Sequence, residues 1–181
     1  MPPLNPIKPI VTMPFALWSI NRYTIFMTRT KPFWKTKSLS EMSDEEWESL
    51  CDGCGLCCLH KLEDDDSGEI SYTNVACRLL DIDSCQCANY PVRKKLVPDC
   101  VVLSPDQISE FHWLPHSCAY RMVSEGKDLH PWHPLISGSA SSVHDAGISV
   151  QARVISEHDA GDFADHIVDT SVFPGLKENA E

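Results

Sequence analysis

The octapeptide Cys51-Asp52-Gly53-Cys54-Gly55-Leu56-Cys57-Cys58 constrains this chain more than any other stretch, because three cysteines recur at every third position and a fourth follows directly. Two-residue spacers let successive thiolates converge on one cation. Gly53 and Gly55 remove side-chain bulk where the backbone has to turn, and the loop amides can then point at sulfur. Crowded thiolates without a cation repel one another and resist ionisation, a cost that a bound metal removes. Cys57 and Cys58, as chain neighbours, point different ways in most backbone conformations. They are therefore expected to serve different ions, or one of them is a structural thiol.

The other cysteines are Cys77, Cys85-Gln86-Cys87, Cys100 and Cys118, so all nine fall within positions 51–118, nine of 68 residues. That density, about 13%, exceeds the ~8–10% that marks a cysteine-stapled chain. In an extended segment both thiols of Cys85-Gln86-Cys87 face one side and can chelate together. Eight cysteines (Cys51, Cys54, Cys57, Cys58, Cys77, Cys85, Cys87, Cys100) then supply two four-sulfur sites. Cys118 is left over, as a buried thiol or in exchange for Cys85, and His60 is a further candidate ligand. Known frames fit only in part. The bacterial ferredoxin run matches Cys51, Cys54 and Cys57, but Cys58 comes too early. The zinc-ribbon frame fails because no cysteine follows Cys77 at the required step.

Staples are disulfides or metals, and compartment usually decides which. Pro2, Pro3, Pro6, Pro9 and Pro14 interrupt the place where the apolar core of a secretory signal would sit. No apolar run approaches the ~20 residues needed to cross a bilayer. The expectation is a cytoplasmic protein with thiolate ligands and no membrane partner. Residues 1–37 carry six basic residues and no acid, which leaves nine basic against 26 acidic residues afterwards, a net −17. A body so acidic repels phosphate backbones, which argues against nucleic acid as a partner. Arg93-Lys94-Lys95 reads as a solvated turn.

Three segments are expected: an N-terminal arm over 1–32, disordered or preceding a native start at Met27 or Met42; a cysteine-cluster domain over 33–156; and a C-terminal helix or tail over 157–181. Ser43-Asp44-Glu45-Glu46 spells a capping box that starts a helix with Trp47 and Leu50 on one face and delivers Cys51 into the cluster. Glu63-Asp64-Asp65-Asp66 with Ser67-Gly68 reads as a turn, 69–75 as a strand, 104–112 as a helix opened by Ser104-Pro105, 117–125 as a short helix, 148–155 as a strand and 158–169 as a weak helix. The acidic run is not an EF-hand, since Asn74 stands where the twelfth-position glutamate is required. His130-Pro131-Trp132-His133-Pro134 reads as a rigid segment that packs Trp132 and leaves both histidines exposed. No nucleophile elbow, phosphate loop or dinucleotide fingerprint is present.

Over 32–155 the sequence resembles the YcgN/YkgJ-type cysteine-cluster family, described as zinc- or iron-chelating domains. The likeness rests on the 51–58 cluster, Asn74-Val75-Ala76-Cys77-Arg78, Cys85-Gln86-Cys87 with Tyr90, Pro98-Asp99-Cys100, Trp113-Leu114-Pro115, Cys118-Ala119-Tyr120-Arg121, Glu125-Gly126-Lys127-Asp128-Leu129 and Trp132-His133-Pro134-Leu135. It implies metal chelation and little else. The expected fold is a small, irregular α+β domain of short elements organised around one or two centres holding zinc or an iron–sulfur cluster. Three functional classes follow: a metal-binding accessory protein with a structural centre and an unidentified protein partner, an iron–sulfur redox or modification enzyme, and a metallochaperone.

Overall fold

The capping box forms as spelled. Ser43 Oγ accepts the Glu46 N–H at 3.2 Å and the Glu46 carboxylate accepts the Ser43 N–H at 2.9 Å. Helix α1, Asp44–Glu48, begins there with acids in its first turn and Trp47 buried. The computed structural model describes residues 31–107 and 113–177, all within the unit Lys31–Glu181. The expected arm over 1–32 thus lies outside the described residues apart from Lys31 and Pro32.

Strand β1, Leu59–Glu63, leaves the cysteine octapeptide directly and pairs antiparallel with β2, Ile70–Ala76. The acidic run forms the turn between them, with the Asp64 carboxylate accepting the Asp66 and Ser67 N–H groups. The register shifts between Leu59 and Lys61, a bulge immediately after the cysteines. Strand β3, Leu80–Asp81, and β4, Gln86–Cys87, form a separate two-stranded sheet. Helical turns follow at α2, Arg93–Leu96, α3, Ala119–Ser124, α4, Pro134–Ser137, and α5, Ser142–Asp145. Strand β5, Ile155–Ser156, pairs parallel with β2, giving the order β1-β2-β5. The architecture is a small α+β domain of short elements. Helices this short have little stability of their own, so packing holds them.

Two apolar clusters do so. One gathers Cys54, Leu56, Leu59, Ala76, Leu80, Cys85, Val143, Ile148, Val150, Phe173 and Leu176. The other joins Trp47, Leu50, Ala119, Tyr120 and Leu129, flanked by Phe33, Trp34 and Cys118. The fully buried Leu50 belongs to the second and the fully buried Leu56 to the first. The cysteine loop therefore connects them, and residues beyond 156 supply core side chains in Phe173 and Leu176.

Some expectations fail. The strand over 148–155 shrinks to Ile155–Ser156, because the chain turns where Arg153 N–H meets the Val150 carbonyl and Ala152 takes φ of 56°. Ile148, Ser149 and Val150 are all buried, so the apparent alternation does not describe one wet and one dry face. The helix over 158–169 is reduced to a 3-10 turn, Phe163–His166, capped by Asp162. Of the helix over 104–112, only the opening turn at Ser104 to Gln107 is seen, and 108–112 lie outside the described residues.

Candidate metal centre

The loop that carries the first four cysteines is built on two left-handed glycines, Gly53 at φ 75° and Gly55 at φ 77°. A Cβ on Gly55 would meet Val150 Cγ2 at 2.7 Å, so both conformation and space require glycine there. Asp52 is buried and its carboxylate accepts the Cys54 N–H at 3.0 Å. Val150 N–H donates to the Cys54 carbonyl at 2.8 Å, and a 3-10 turn, Leu56–Cys58, completes the loop. His133 Nε2 lies 3.0 Å from the Leu50 carbonyl, while Nδ1 accepts the Leu135 N–H at 3.1 Å. Nε2 therefore carries the hydrogen and donates it. His133 is buried rather than exposed as expected, because both ring nitrogens are used in holding α4 to the chain just ahead of Cys51. Trp132 packs against the first apolar cluster as expected, but His130 is half-buried rather than exposed, its ring stacked on Trp132 at 3.9 Å.

All nine cysteines are free thiols. Cys51 is exposed at the surface, yet protein surrounds its sulfur closely enough that burial, and then the charge of Cys57, pushes the thiol up to about 12. Cys54 is raised by burial, then by Asp52, Cys57 and Cys118. Cys118 is raised by burial and then by Cys57. These four thiols thus form one electrostatic neighbourhood with Cys57 at its hub. Cys58 is raised first by its hydrogen bond to Cys57, and it feels Cys51 and Cys77 as well. Cys77 is raised by burial and feels Cys100 and Cys87. Its N–H also donates to the Cys58 carbonyl at 3.0 Å. Cys77, Cys87 and Cys100 make a second neighbourhood, and Cys58, which feels Cys57 and Cys51 before Cys77, bridges the two.

The two meet at Cys57 and Cys58, whose sulfurs are 4.0 Å apart. The hydrogen bond between them, and then the Lys61 charge, lower the Cys57 thiol below its ordinary value against the opposing effect of burial. Cys57 is thus the thiol of the loop most readily ionised.

Cys85 departs from expectation. It takes φ of 56°, so the Cys85-Gln86-Cys87 segment is not extended and the same-side argument fails. Its side chain is buried in the first apolar cluster, against the Gly55 backbone. Cys87 is partly exposed in β4, opposite Leu80. His60 is engaged through Nε2 by the Glu157 carboxylate and lies 4.6 Å from the Phe163 ring. Glu157 also pairs with Arg78 at 2.9 Å, and Arg78 reaches the Leu96 carbonyl at 2.7 Å, tying the segment before Cys100 to β5.

Lys61 escaped sequence reasoning, since one lysine beside an acidic run carries no signal. Its ammonium donates to the carbonyls of Leu59 at 2.6 Å, Cys57 at 3.2 Å and Leu56 at 3.4 Å. Burial lowers its pKa, while Cys57, Cys58 and Cys54 work in the opposite direction.

Among the described residues, no three Cys, His, Asp or Glu side chains stand close enough, as placed, to hold an ion. The thiols are within electrostatic reach of one another without ligand geometry. Donor chemistry nevertheless fits zinc or iron: two sets of sulfur ligands, mutually repelling when ionised, on glycine-turned backbone. No helix among the described residues is long and apolar enough to cross a membrane.

Comparison with known proteins agrees with the donor chemistry. Residues 50–119 match the CxxCxxCC family, described as "Putative zinc- or iron-chelating domain". No solved structure matches. A UPF0260 protein of Granulibacter bethesdensis is 58% identical over 142 residues, covering 78% of this chain and 86% of that one. One from Gluconacetobacter diazotrophicus is 57% identical over 143 residues, covering 79% and 89%. One from Brucella suis is 58% identical over 142 residues, covering 76% and 93%. At that identity and coverage, the chain belongs to the UPF0260 family.

Proposed function

We propose that this protein chelates zinc or an iron–sulfur cluster at two thiolate centres, one drawn from Cys51, Cys54, Cys57 and Cys118 and the other from Cys58, Cys77, Cys87 and Cys100. The observation that supports this reading is a glycine-turned loop of free thiols in which the Cys57 and Cys58 sulfurs lie 4.0 Å apart and the Cys58 carbonyl accepts the Cys77 N–H. Cys118 takes the place first given to Cys85, which belongs to the apolar core. The cation supplies what the metal-free thiols lack, a positive charge that lets them ionise and draw together.

The role that fits best is structural or accessory. The loop spans the junction of the two apolar clusters, so a centre there would lock Leu50 and Leu56 in place together. Nine unpaired thiols suit a reducing compartment such as the cytoplasm. Surface exposure of Cys51 and Cys57 favours a second reading, in which metal is handed on through the open side.

Anaerobic purification followed by elemental analysis and absorption spectroscopy tests the proposal. Two equivalents of zinc in a colourless protein would support zinc centres, and brown protein absorbing near ~400 nm would support iron–sulfur. Metal-free protein that takes up neither ion would overturn chelation. Rapid loss of metal to a chelator would favour the transfer role over the structural one.

A further inference from the structure

We propose that Lys61 is a built-in counter-ion for the thiolates of the cysteine loop nearest to it, Cys54, Cys57 and Cys58, an inference that rests on the chelation reading above.

Geometry argues for a permanent cation at this position. An ammonium has three N–H donors and no acceptor, and the Lys61 nitrogen has three carbonyl oxygens within reach, those of Leu56, Cys57 and Leu59. It also lies 5.0 Å from the centroid of the Trp113 ring and 5.6 Å from that of Tyr72. Aromatic faces attract cations and offer little to a neutral amine. Lys61 stands two residues past Leu59 in β1, and its side chain turns back to the carbonyls of the loop that the strand has just left.

A partly buried cation needs a neighbouring negative charge. No carboxylate lies within ion-pairing distance of Lys61 among the described residues, in contrast to Lys35, Lys37 and Lys127, which pair with Asp128, Glu46 and Glu125. The groups that feel its charge are the sulfurs of Cys57, Cys58 and Cys54. A divalent ion held by four thiolates leaves a net charge of about −2, so the loaded centre supplies the anion that Lys61 lacks. Lys61 is a positioning residue in this scheme. It ties the loop through three carbonyls and offsets charge at the centre without ligating the ion.

The test uses the full chain, stripped of metal under anaerobic reducing conditions, and titrated with cobalt against a competing chelator. Lys61→Met keeps the apolar stem between the rings and removes the charge; Lys61→Arg keeps the charge. Loss of one unit charge in hydrogen-bond contact with the Cys57 backbone should weaken cobalt binding by about tenfold or more. Lys61→Arg should stay within about threefold of wild type, and thiolate-to-cobalt absorption should persist in both. Circular dichroism of the metal-free variants checks that folding is unchanged. Equal affinity in Lys61→Met and wild type would overturn the counter-ion role, and so would equal weakening in Lys61→Arg, which would make the lysine a matter of shape. If the wild type itself took up no cobalt, chelation would fail first and the role of Lys61 with it. Should Lys61→Met not fold, Lys61→Gln, which removes the charge and keeps two donors, serves the same comparison.

Discussion

His133 Nε2 donates to the carbonyl of Leu50, 83 positions earlier and one residue before Cys51. The bond satisfies a backbone carbonyl just past the end of α1 and anchors the start of the cysteine loop. His133→Ala should therefore cost about 2–4 kcal/mol, through an unpaired buried carbonyl and the cavity left by the ring. Urea unfolding of metal-free protein would measure it, and a loss below about 0.5 kcal/mol would show that the loop needs no such anchor.

Gly55 and Gly126 have nearly the same positive φ, 77° and 72°, but differ in surroundings. An added Cβ meets Val150 at 2.7 Å at position 55 and nothing within 4 Å at position 126. Gly126→Ala should cost about 1 kcal/mol from backbone strain alone, and Gly55→Ala about 2–4 kcal/mol because overpacking is added. Equal losses in urea melts would contradict the close approach of the loop to Val150.

Ligand assignment separates Cys118 from Cys85. Cys118→Ser should remove one of two metal equivalents, whereas Cys85→Ser should keep both, with a modest loss of stability because Ser149 and the Val150 and Gln151 N–H groups that face the sulfur can still meet a hydroxyl. Mass spectrometry under native conditions reads the stoichiometry of each. Loss of metal from the Cys85 variant alone would return that residue to the ligand set.

Cys57 should be the first thiol of the loop to react in metal-free protein. The Cys58 hydrogen bond and the Lys61 charge hold its pKa below the ordinary thiol value, so alkylation at Cys57 should set in at lower pH than at the other thiols of the loop. Cys51, held up near 12, should lag far behind. Peptide mapping after brief iodoacetamide treatment would show the order, and faster labelling at Cys51 would contradict it.

Glu157 gives the fold an acid-sensitive link. Burial opposes its ionisation, but hydrogen bonds from His60 and Arg78 outweigh that and set its pKa below the ordinary 4.5. Its stabilisation is thus complete above about pH 4.5 and fades as pH falls through the lower, folded-state value. Glu157→Gln should cost about 1 kcal/mol near neutrality and flatten the acid limb of a Tm profile. Parallel profiles for the two proteins would mean that Glu157 contributes nothing to acid lability.

Features decided by local chemistry were legible in the sequence. Ser43 and Glu46 cap α1 within four residues of each other, the run 63–68 turns, and β2 and α3 form within two residues of their expected bounds. Gly53 and Gly55 were also readable, since a loop with thiols every third residue must turn tightly. What failed depended on distant partners or on backbone irregularity. Cys85 leaves the extended conformation on which the shared-face argument relied, and Ala152 bends a stretch whose residues looked strand-like. His133 is buried because Leu50 offers it a carbonyl, a contact no spacing rule encodes. Cys118 joins the loop thiols because Tyr120 and Ala119 pack α3 into the cluster that holds Leu50.

One planar peptide unit separates Cys57 from Cys58, and it makes the two thiol neighbourhoods mechanically inseparable. Rotating that unit to aim one sulfur swings the other by a linked amount, like two hands on a single crank. A backbone change that re-aims one of these sulfurs therefore disturbs its twin as well.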